Sequence, residues 1–147
     1  MAQLQVGHEW RSAPRRMTRE RMRWYCDAHD TVIRNDGKFH IAPPNIHNDD
    51  EFAKGQGLSA IIADGMISTN WLYGFVLDTF GETFLRRGAL RTKYVRPVHE
   101  DQPVTSCARV KELRGEACVL EVWCEDDTGQ VLTVGEATVY VESDAAR

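Results

Sequence analysis

The feature that most constrains the fold is a stretch with helical spacing that is apolar on nearly every side. It runs from Gly65 to Phe80, and Gly81 follows as a stop signal. A helix without a polar face is stable in a globular protein only when other elements cover it. The remainder of the chain must therefore supply a surface against which this helix is buried.

That surface is predicted by the second half of the chain, where the apolar period changes to two from Ala89 onward. Alternation is clear from Val104 to Lys111 and from Cys118 to Cys124, and a further strand runs through Val139 and Val141. Turn signals separate these segments, at Arg114-Gly115 and at Asp127-Thr128-Gly129. Short strands joined by glycine-containing turns indicate an antiparallel meander. Because helices precede the run of strands, the fold class is α+β: one long helix against an antiparallel sheet.

The first half of the chain has shorter elements. The residues up to about Arg16 have weak strand character, and a helix is predicted over Met17 to Asp30, with Thr18 as its cap. The segment from Thr31 to Pro44 contains turn signals and reads as a loop. A short helix is then predicted from Asp49 to Lys54.

Composition narrows the class of protein. Apolar residues make up 42% and charged residues 27%, as in ordinary globular domains, and the net charge of -4 argues against nucleic acid as the partner. No apolar run approaches the ~18 residues of a membrane helix, and residues 1–6 show no secretory signal. The four cysteines lack CxxC spacing, so we expect buried, reduced thiols and a cytoplasmic location.

Two segments, one after the other in the sequence, contain candidate catalytic residues. The first is Asn45-Ile46-His47-Asn48-Asp49, and the second is Ile61 to Ser68, which contains Asp64-Gly65-Met66. The first segment resembles the hydratase motif of the MaoC-like family, the R-specific enoyl-CoA hydratases and acyl dehydratases, with His47 as its histidine and Asp49 as its acidic residue. Gly65 follows His47 at the family's interval to the central helix. Tyr94 to Asp101 is similar to a later strand and turn of that family.

The resemblance implies one hot-dog domain over residues 1–147, in which a sheet wraps a central helix. It implies a lyase that reversibly hydrates an enoyl thioester of coenzyme A or an acyl carrier. A histidine and an aspartate hold the water in such proteins, and an amide at the helix start, here Gly65, binds the thioester oxygen. Coenzyme A enters only as part of the substrate, no other cofactor and no metal are expected, and a homodimer or higher homo-oligomer is implied.

The chain departs from the family pattern at two positions. The motif aspartate belongs five residues before His47, where this chain has Ala42. An insertion over about Thr31 to Pro44 would restore Asp30 as the catalytic aspartate. The other interpretation is that His47 acts alone or with a different partner such as His40. The second departure is Asp64, where the family has histidine, since a carboxylate there opposes an oxyanion unless it is neutralised or turned away.

Residues around these motifs are candidates for substrate binding. They are Asn45, Asp64, Ser68, Tyr73 and Arg96. Tyr73 and its aromatic neighbours are interpreted first as core residues, with an acyl pocket as the alternative. Arg96 is interpreted first as part of a solvated strand face, with the phosphates of coenzyme A as the alternative. Two further functions stay open: a thioesterase that recruits Asp64 or Asp78, and a non-catalytic acyl-CoA-binding subunit with a decayed site, for which Ala42 is the argument.

Overall fold

The computed structural model describes residues 4–141, and the alternating second half of the chain forms a five-stranded sheet. The strands are β1 Glu9–Arg11, β2 Ala89–Tyr94, β3 Val104–Arg114, β4 Ala117–Asp126 and β5 Val131–Tyr140. Their order is β1-β3-β4-β5-β2, and all neighbours are antiparallel. The meander predicted from the sequence, β3 to β5, forms the centre of the sheet. The weak N-terminal strand and the strand that begins at Ala89 form its two edges.

Four helices accompany the described strands. They are α1 Arg19–Arg34, α2 Asp50–Gly55, α3 Gly65–Phe80 and α4 Glu82–Arg87. The bounds of α3 agree with the sequence prediction. Gly81 ends it with a φ of 72°, a left-handed conformation that glycine adopts without strain, and also serves as the N-cap of α4. The short helix α4 was not predicted. Its six residues, between α3 and β2, are too few to show a clear apolar period.

The chain divides into two compact units. The first, the sheet unit, comprises the described residues of Met1–Pro14 and Val104–Arg147 together with Met66–Arg96. The second, the motif unit, comprises Arg15–Gly65 and Pro97–Pro103. The outermost residues of the 1–147 domain prediction, 1–3 and 142–147, lie outside the described residues.

In the sheet unit, α3 is held against strands by buried polar contacts as well as by apolar side chains. The Ser68 hydroxyl lies 2.8 Å from the Thr133 hydroxyl of β5, and the Cys124 thiol of β4 is 3.8 Å from the Ser68 carbonyl oxygen. Leu72 and Val76 are fully buried, whereas Met66 and Tyr73 keep 46% and 37% of their surface exposed. The composition of the helix suggested burial on nearly every side. In the structure most of its surface is buried, but part of it is exposed.

In the motif unit, α1 begins as predicted but ends later. Thr18 is the N-cap, and its hydroxyl accepts a hydrogen bond from the Arg21 amide at 3.3 Å. The helix continues past Asp30 to Arg34, so the prediction that it ends at Asp30 was wrong. Its stop is Asn35, which has the left-handed conformation that asparagine tolerates, with a φ of 46°. The first residues of the expected loop are thus helical.

The cysteines are buried and free, in keeping with the sequence prediction. None of the described helices combines the length and apolar character that a membrane crossing requires.

Candidate functional site

A tight turn presents His47. The Asn45 side-chain oxygen accepts a hydrogen bond from the His47 amide at 2.8 Å, and the Asn45 amide donates to the Asn48 side-chain oxygen at 2.8 Å. The Asn45 side chain thus organises the turn in the manner of an Asx motif. Directly after the turn, Asp49 caps α2 by accepting from the Phe52 amide at 2.7 Å. The backbone of His47 is therefore held by the Asn45 turn that contains it and by the start of α2 that follows it.

An extended segment, Ile61 to Ala63, lies beside this turn and leads into α3. The Ile62 amide donates to the Ile46 carbonyl at 3.1 Å, and the Ala63 amide donates to the Val98 carbonyl at 2.8 Å. These two bonds bring the end of the segment, and with it Asp64 and Gly65, to the side of His47 although the residues are distant in the sequence.

The imidazole of His47 is held by one nitrogen and open at the other. Nδ1 lies 2.8 Å from the Ile62 carbonyl oxygen, and a carbonyl only accepts, so Nδ1 carries the proton of this bond. In the neutral ring Nε2 then has a lone pair, and it lies 3.6 Å from Oδ2 of Asp64. Both side chains are partly exposed, 22% for His47 and 34% for Asp64, so water reaches them.

The start of α3 adjoins this pair, because Gly65 is the first residue of the helix and follows Asp64. The first amides of a helix have no acceptor within the helix, and its dipole favours negative charge at that end. Gly65 has no side chain to cover the backbone. The base thus lies against a carboxylate that directly precedes a helix N-terminus, which is a combination suited to chemistry on a carbonyl compound.

The expected catalytic aspartate, Asp30, has a different partner in the structure. Its Oδ2 lies 2.7 Å from Nε of Arg34, one turn further along α1. Ala42, at the position of the family aspartate, donates its amide to Oδ1 of Asp27 at 2.8 Å. The described contacts of Asp30 do not include His47, and its catalytic role stays a prediction.

His40, the other partner considered for His47, is engaged elsewhere. Its Nε2 lies 2.9 and 3.0 Å from the two carboxylate oxygens of Asp36, and its backbone bonds to the Thr31 hydroxyl. These contacts close the loop that follows α1.

The remaining candidates for substrate binding lie in the sheet unit. Ser68 is 1% exposed and bonded to Thr133, whereas Tyr73 is half-buried with its ring 5.2 Å from that of Phe84. Arg96 is exposed and donates to the Val131 carbonyl at 2.7 Å. None of these contacts tests whether the three residues bind substrate.

Sequence reasoning missed an ionic network in the motif unit. Arg19 donates to Asp50 at 2.5 Å and to Glu100 at 2.7 and 3.0 Å, while Oδ1 of Asp50 accepts from the Ile61 amide at 3.0 Å. The hydrogen bond from Arg19 is the main reason that the pKa of Asp50 lies below its ordinary value. The network fixes the start of the segment that carries the acceptor for His47. Its members are far apart in sequence, so no local pattern identifies them.

Among the described residues, no group of three or more histidine, cysteine or acidic side chains has the arrangement of a metal site.

Comparisons with known proteins support the fold. No protein-family model and no curated protein matches the chain. The chain is 20% identical to the (R)-hydratase from A. caviae involved in PHA biosynthesis, with a TM-score of 0.68 over 97% of this chain and 100% of that one. It is 17% identical to the MaoC-like dehydratase from Rhodospirillum rubrum, with a TM-score of 0.66 over 95% of each chain. It is also 17% identical to a chain of the C-terminally truncated HadBC (3R-hydroxyacyl-ACP dehydratase) complex from Mycobacterium tuberculosis, with a TM-score of 0.63 over 90% of this chain and 95% of that one.

These likenesses confirm, at the level of the fold, the resemblance to MaoC-like proteins. The chain has the α+β hot-dog fold, in which an antiparallel sheet accompanies one long helix.

Proposed function

Because the chain has the fold of the MaoC-like dehydratases, we propose that it is a hydratase or dehydratase of the hydro-lyase type. Its substrate is an enoyl or 3-hydroxyacyl thioester of coenzyme A or of an acyl carrier. The observation that carries the proposal is the orientation of His47: Nδ1 is bonded to the Ile62 carbonyl, which leaves Nε2 as the base, and Nε2 lies against Asp64, the residue before α3. The likeness to an (R)-hydratase and to 3R-hydroxyacyl-ACP dehydratase chains supports the same reaction class.

In the hydration direction, His47 acts first as base and then as acid. Nε2 takes one proton from water while the water oxygen forms a bond to C3 of the enoyl group. The electron pair of the C2=C3 bond moves toward the thioester carbonyl, whose oxygen gains enolate charge. The proton on Nε2 then passes to C2, so one water is added and the thioester bond stays whole. Positioned proton transfer of this kind contributes roughly 10²–10⁴-fold to a rate.

The enolate oxygen needs donors where its charge develops. We assign this role to the backbone amide at the start of α3, with Gly65 keeping the approach open. Helix N-terminal amides and the dipole stabilise such an oxyanion, and a single preorganised donor is worth about 10²–10³-fold. Asn45, Ser68, Tyr73 and Arg96 stay candidates for contacts to the rest of the substrate.

The proposal includes coenzyme A only as part of the substrate, with no other cofactor, and a homodimer or higher homo-oligomer in the cytoplasm. Two observations support self-association. β2 is an edge strand of the sheet, and the residues Tyr94 and Val95 at its end are 46% and 43% exposed. Exposed apolar side chains at a sheet edge are a common basis for pairing between chains.

The test is turnover of crotonyl-CoA by the purified chain, with enoyl absorbance and free thiol followed in parallel. We expect loss of the enoyl absorbance without thiol release, and the reverse change with 3-hydroxybutyryl-CoA. His47→Ala should abolish both reactions and leave the circular dichroism spectrum unchanged. Thiol release would instead identify a thioesterase, with Asp64→Asn and Asp78→Asn as the variants to follow. Thermal stabilisation by the thioester without turnover would identify a binding subunit.

A further inference from the structure

His47 and Asp64 present two hydrogen-bond acceptors to each other. With Nδ1 protonated toward Ile62, the neutral ring offers a lone pair at Nε2. The carboxylate of Asp64 offers only acceptor oxygens, and 3.6 Å is longer than a direct hydrogen bond. One proton donor can bond to two acceptors at this separation. A water molecule with its two O–H groups is such a donor.

The competing carboxylates are engaged by other groups. Asp30 pairs with Arg34 at 2.7 Å, and Asp27 accepts from the Ala42 amide at 2.8 Å. Asp49, two residues after His47, caps α2. Among the described ion pairs, the carboxylate that lies against Nε2 of His47 is that of Asp64.

We propose that Asp64 is a catalytic residue that shares the reacting water with His47, in place of the aspartate that the family positions before the histidine. This inference rests on the proposed hydratase function. The carboxylate accepts one O–H group of the water and Nε2 accepts the other, which directs an oxygen lone pair toward C3. Nε2 takes the proton as the C–O bond forms, and that proton is later delivered to C2. No proton is transferred to Asp64 in either step.

The carboxylate next to the oxyanion site is compatible with this chemistry. When the enolate forms, His47 has become an imidazolium, with its Nε2 3.6 Å from the Asp64 carboxylate. Opposite charges at such a separation attract each other. The positive charge thus offsets the repulsion that an aspartate at this position would otherwise cause.

The variant Asp64→Asn distinguishes a chemical role of Asp64 from a structural one. Aspartate and asparagine are equally good residues immediately before a helix, so Asp64→Asn keeps the start of α3. It replaces one acceptor oxygen by a donor and removes the charge. Asp64→Ala removes the whole group and leaves space for a small carboxylate from solution.

The experiment measures hydration of crotonyl-CoA by the wild type and by four variants: Asp64→Asn, Asp64→Ala, Asp30→Asn and Asp127→Asn, the last a matched control in an exposed turn. We expect Asp64→Asn to lower kcat by about 10²-fold or more, with a much smaller change in KM. Sodium formate should restore part of the activity of Asp64→Ala and leave the wild type unchanged, an effect that a structural role would not produce. Asp127→Asn should match the wild type.

With an active wild type, either of two rate comparisons overturns the inference alone. In one, Asp64→Asn keeps the wild-type kcat; in the other, Asp30→Asn loses more activity than Asp64→Asn. Absence of rescue by formate in a folded Asp64→Ala protein also contradicts it. If Asp64→Asn fails to fold, Asp64→Glu takes its place and must keep more activity than Asp64→Ala. If the wild type itself does not hydrate any thioester, the proposed function fails, and the role of Asp64 fails with it.

Discussion

Nδ1 of His47 lies 2.8 Å from the carbonyl oxygen of Ile62, and this bond determines which nitrogen is available for chemistry. The two residues are far apart in sequence and are brought together by the bond from the Ile62 amide to the Ile46 carbonyl. Because the Ile62 carbonyl accepts from the ring and the Ile62 amide donates to Ile46, the orientation of the ring depends on a single extended segment.

We predict that neutral His47 is the tautomer with its proton on Nδ1. The Ile62 carbonyl can only accept, so the other tautomer would place two acceptors 2.8 Å apart. Long-range proton–nitrogen NMR correlation spectra of the labelled protein identify the tautomer directly, with His47→Ala to assign the signals. A neutral ring protonated on Nε2 would contradict the assigned orientation.

Asp50 is predicted to make the protein sensitive to acid. Hydrogen bonding by Arg19 holds the pKa of Asp50 below its ordinary value, so the unfolded carboxyl binds a proton before the folded one does. This contribution to stability is present above the ordinary pKa of about 3.9 and is lost as pH falls through the depressed value. Asp50→Asn should therefore lower the Tm at neutral pH, with a difference from wild type that shrinks toward low pH. A difference independent of pH would argue against the network.

The cysteines should be unreactive in the folded protein. Burial raises the pKa of the Cys107 thiol to about 11 and also raises the pKa of Cys26 and Cys118. The thiolate is the reactive form, so burial and low ionisation act in the same direction. A thiol reagent at neutral pH should modify none of the cysteines until denaturant is added. Rapid modification of a folded sample would contradict their burial.

Replacement of Gly135 is predicted to destabilise the sheet. A Cβ at this position would lie against the Arg91 carbonyl oxygen and within 3.2 Å of Thr92, both on the paired strand β2. Gly135→Ala should therefore destabilise the protein by about 1–3 kcal/mol, as overpacking does. The matched control is Gly74→Ala in α3, where a Cβ meets no atom within 4 Å and alanine gains up to about 1 kcal/mol of helix propensity. Chemical denaturation measures both, and equal effects would contradict the close approach of β2 and β5.

The sequence was a good guide to elements whose pattern is local. The apolar residues of α3 and the alternation in β3 to β5 reflect burial on the helix surface and on one sheet face, and both were predicted. The end of α1 was placed too early. No strong helix breaker stands at Asp30, so the helix continues until Asn35 adopts a left-handed conformation. A single residue's backbone conformation leaves a weak signal in composition.

The residues of the candidate site differ in the range of the interactions that place them. His47 and Gly65 were selected from motif spacing, and their roles stay predictions. The pairing of His47 with Asp64, by contrast, depends on backbone bonds from Ile62 and Ala63 to partners outside their own segment. Such pairings have no local signature, which is why Asp64 was considered as a substrate contact or thioesterase residue and not as the partner of His47.

The central claim is tested most directly by turnover of crotonyl-CoA in water enriched in oxygen-18, followed by mass spectrometry. We predict that the label appears at C3 of a 3-hydroxyacyl product still attached to coenzyme A, and that His47→Ala forms none of it. Label in the carboxyl group of a free acid, or undiminished product with His47→Ala, would contradict the account.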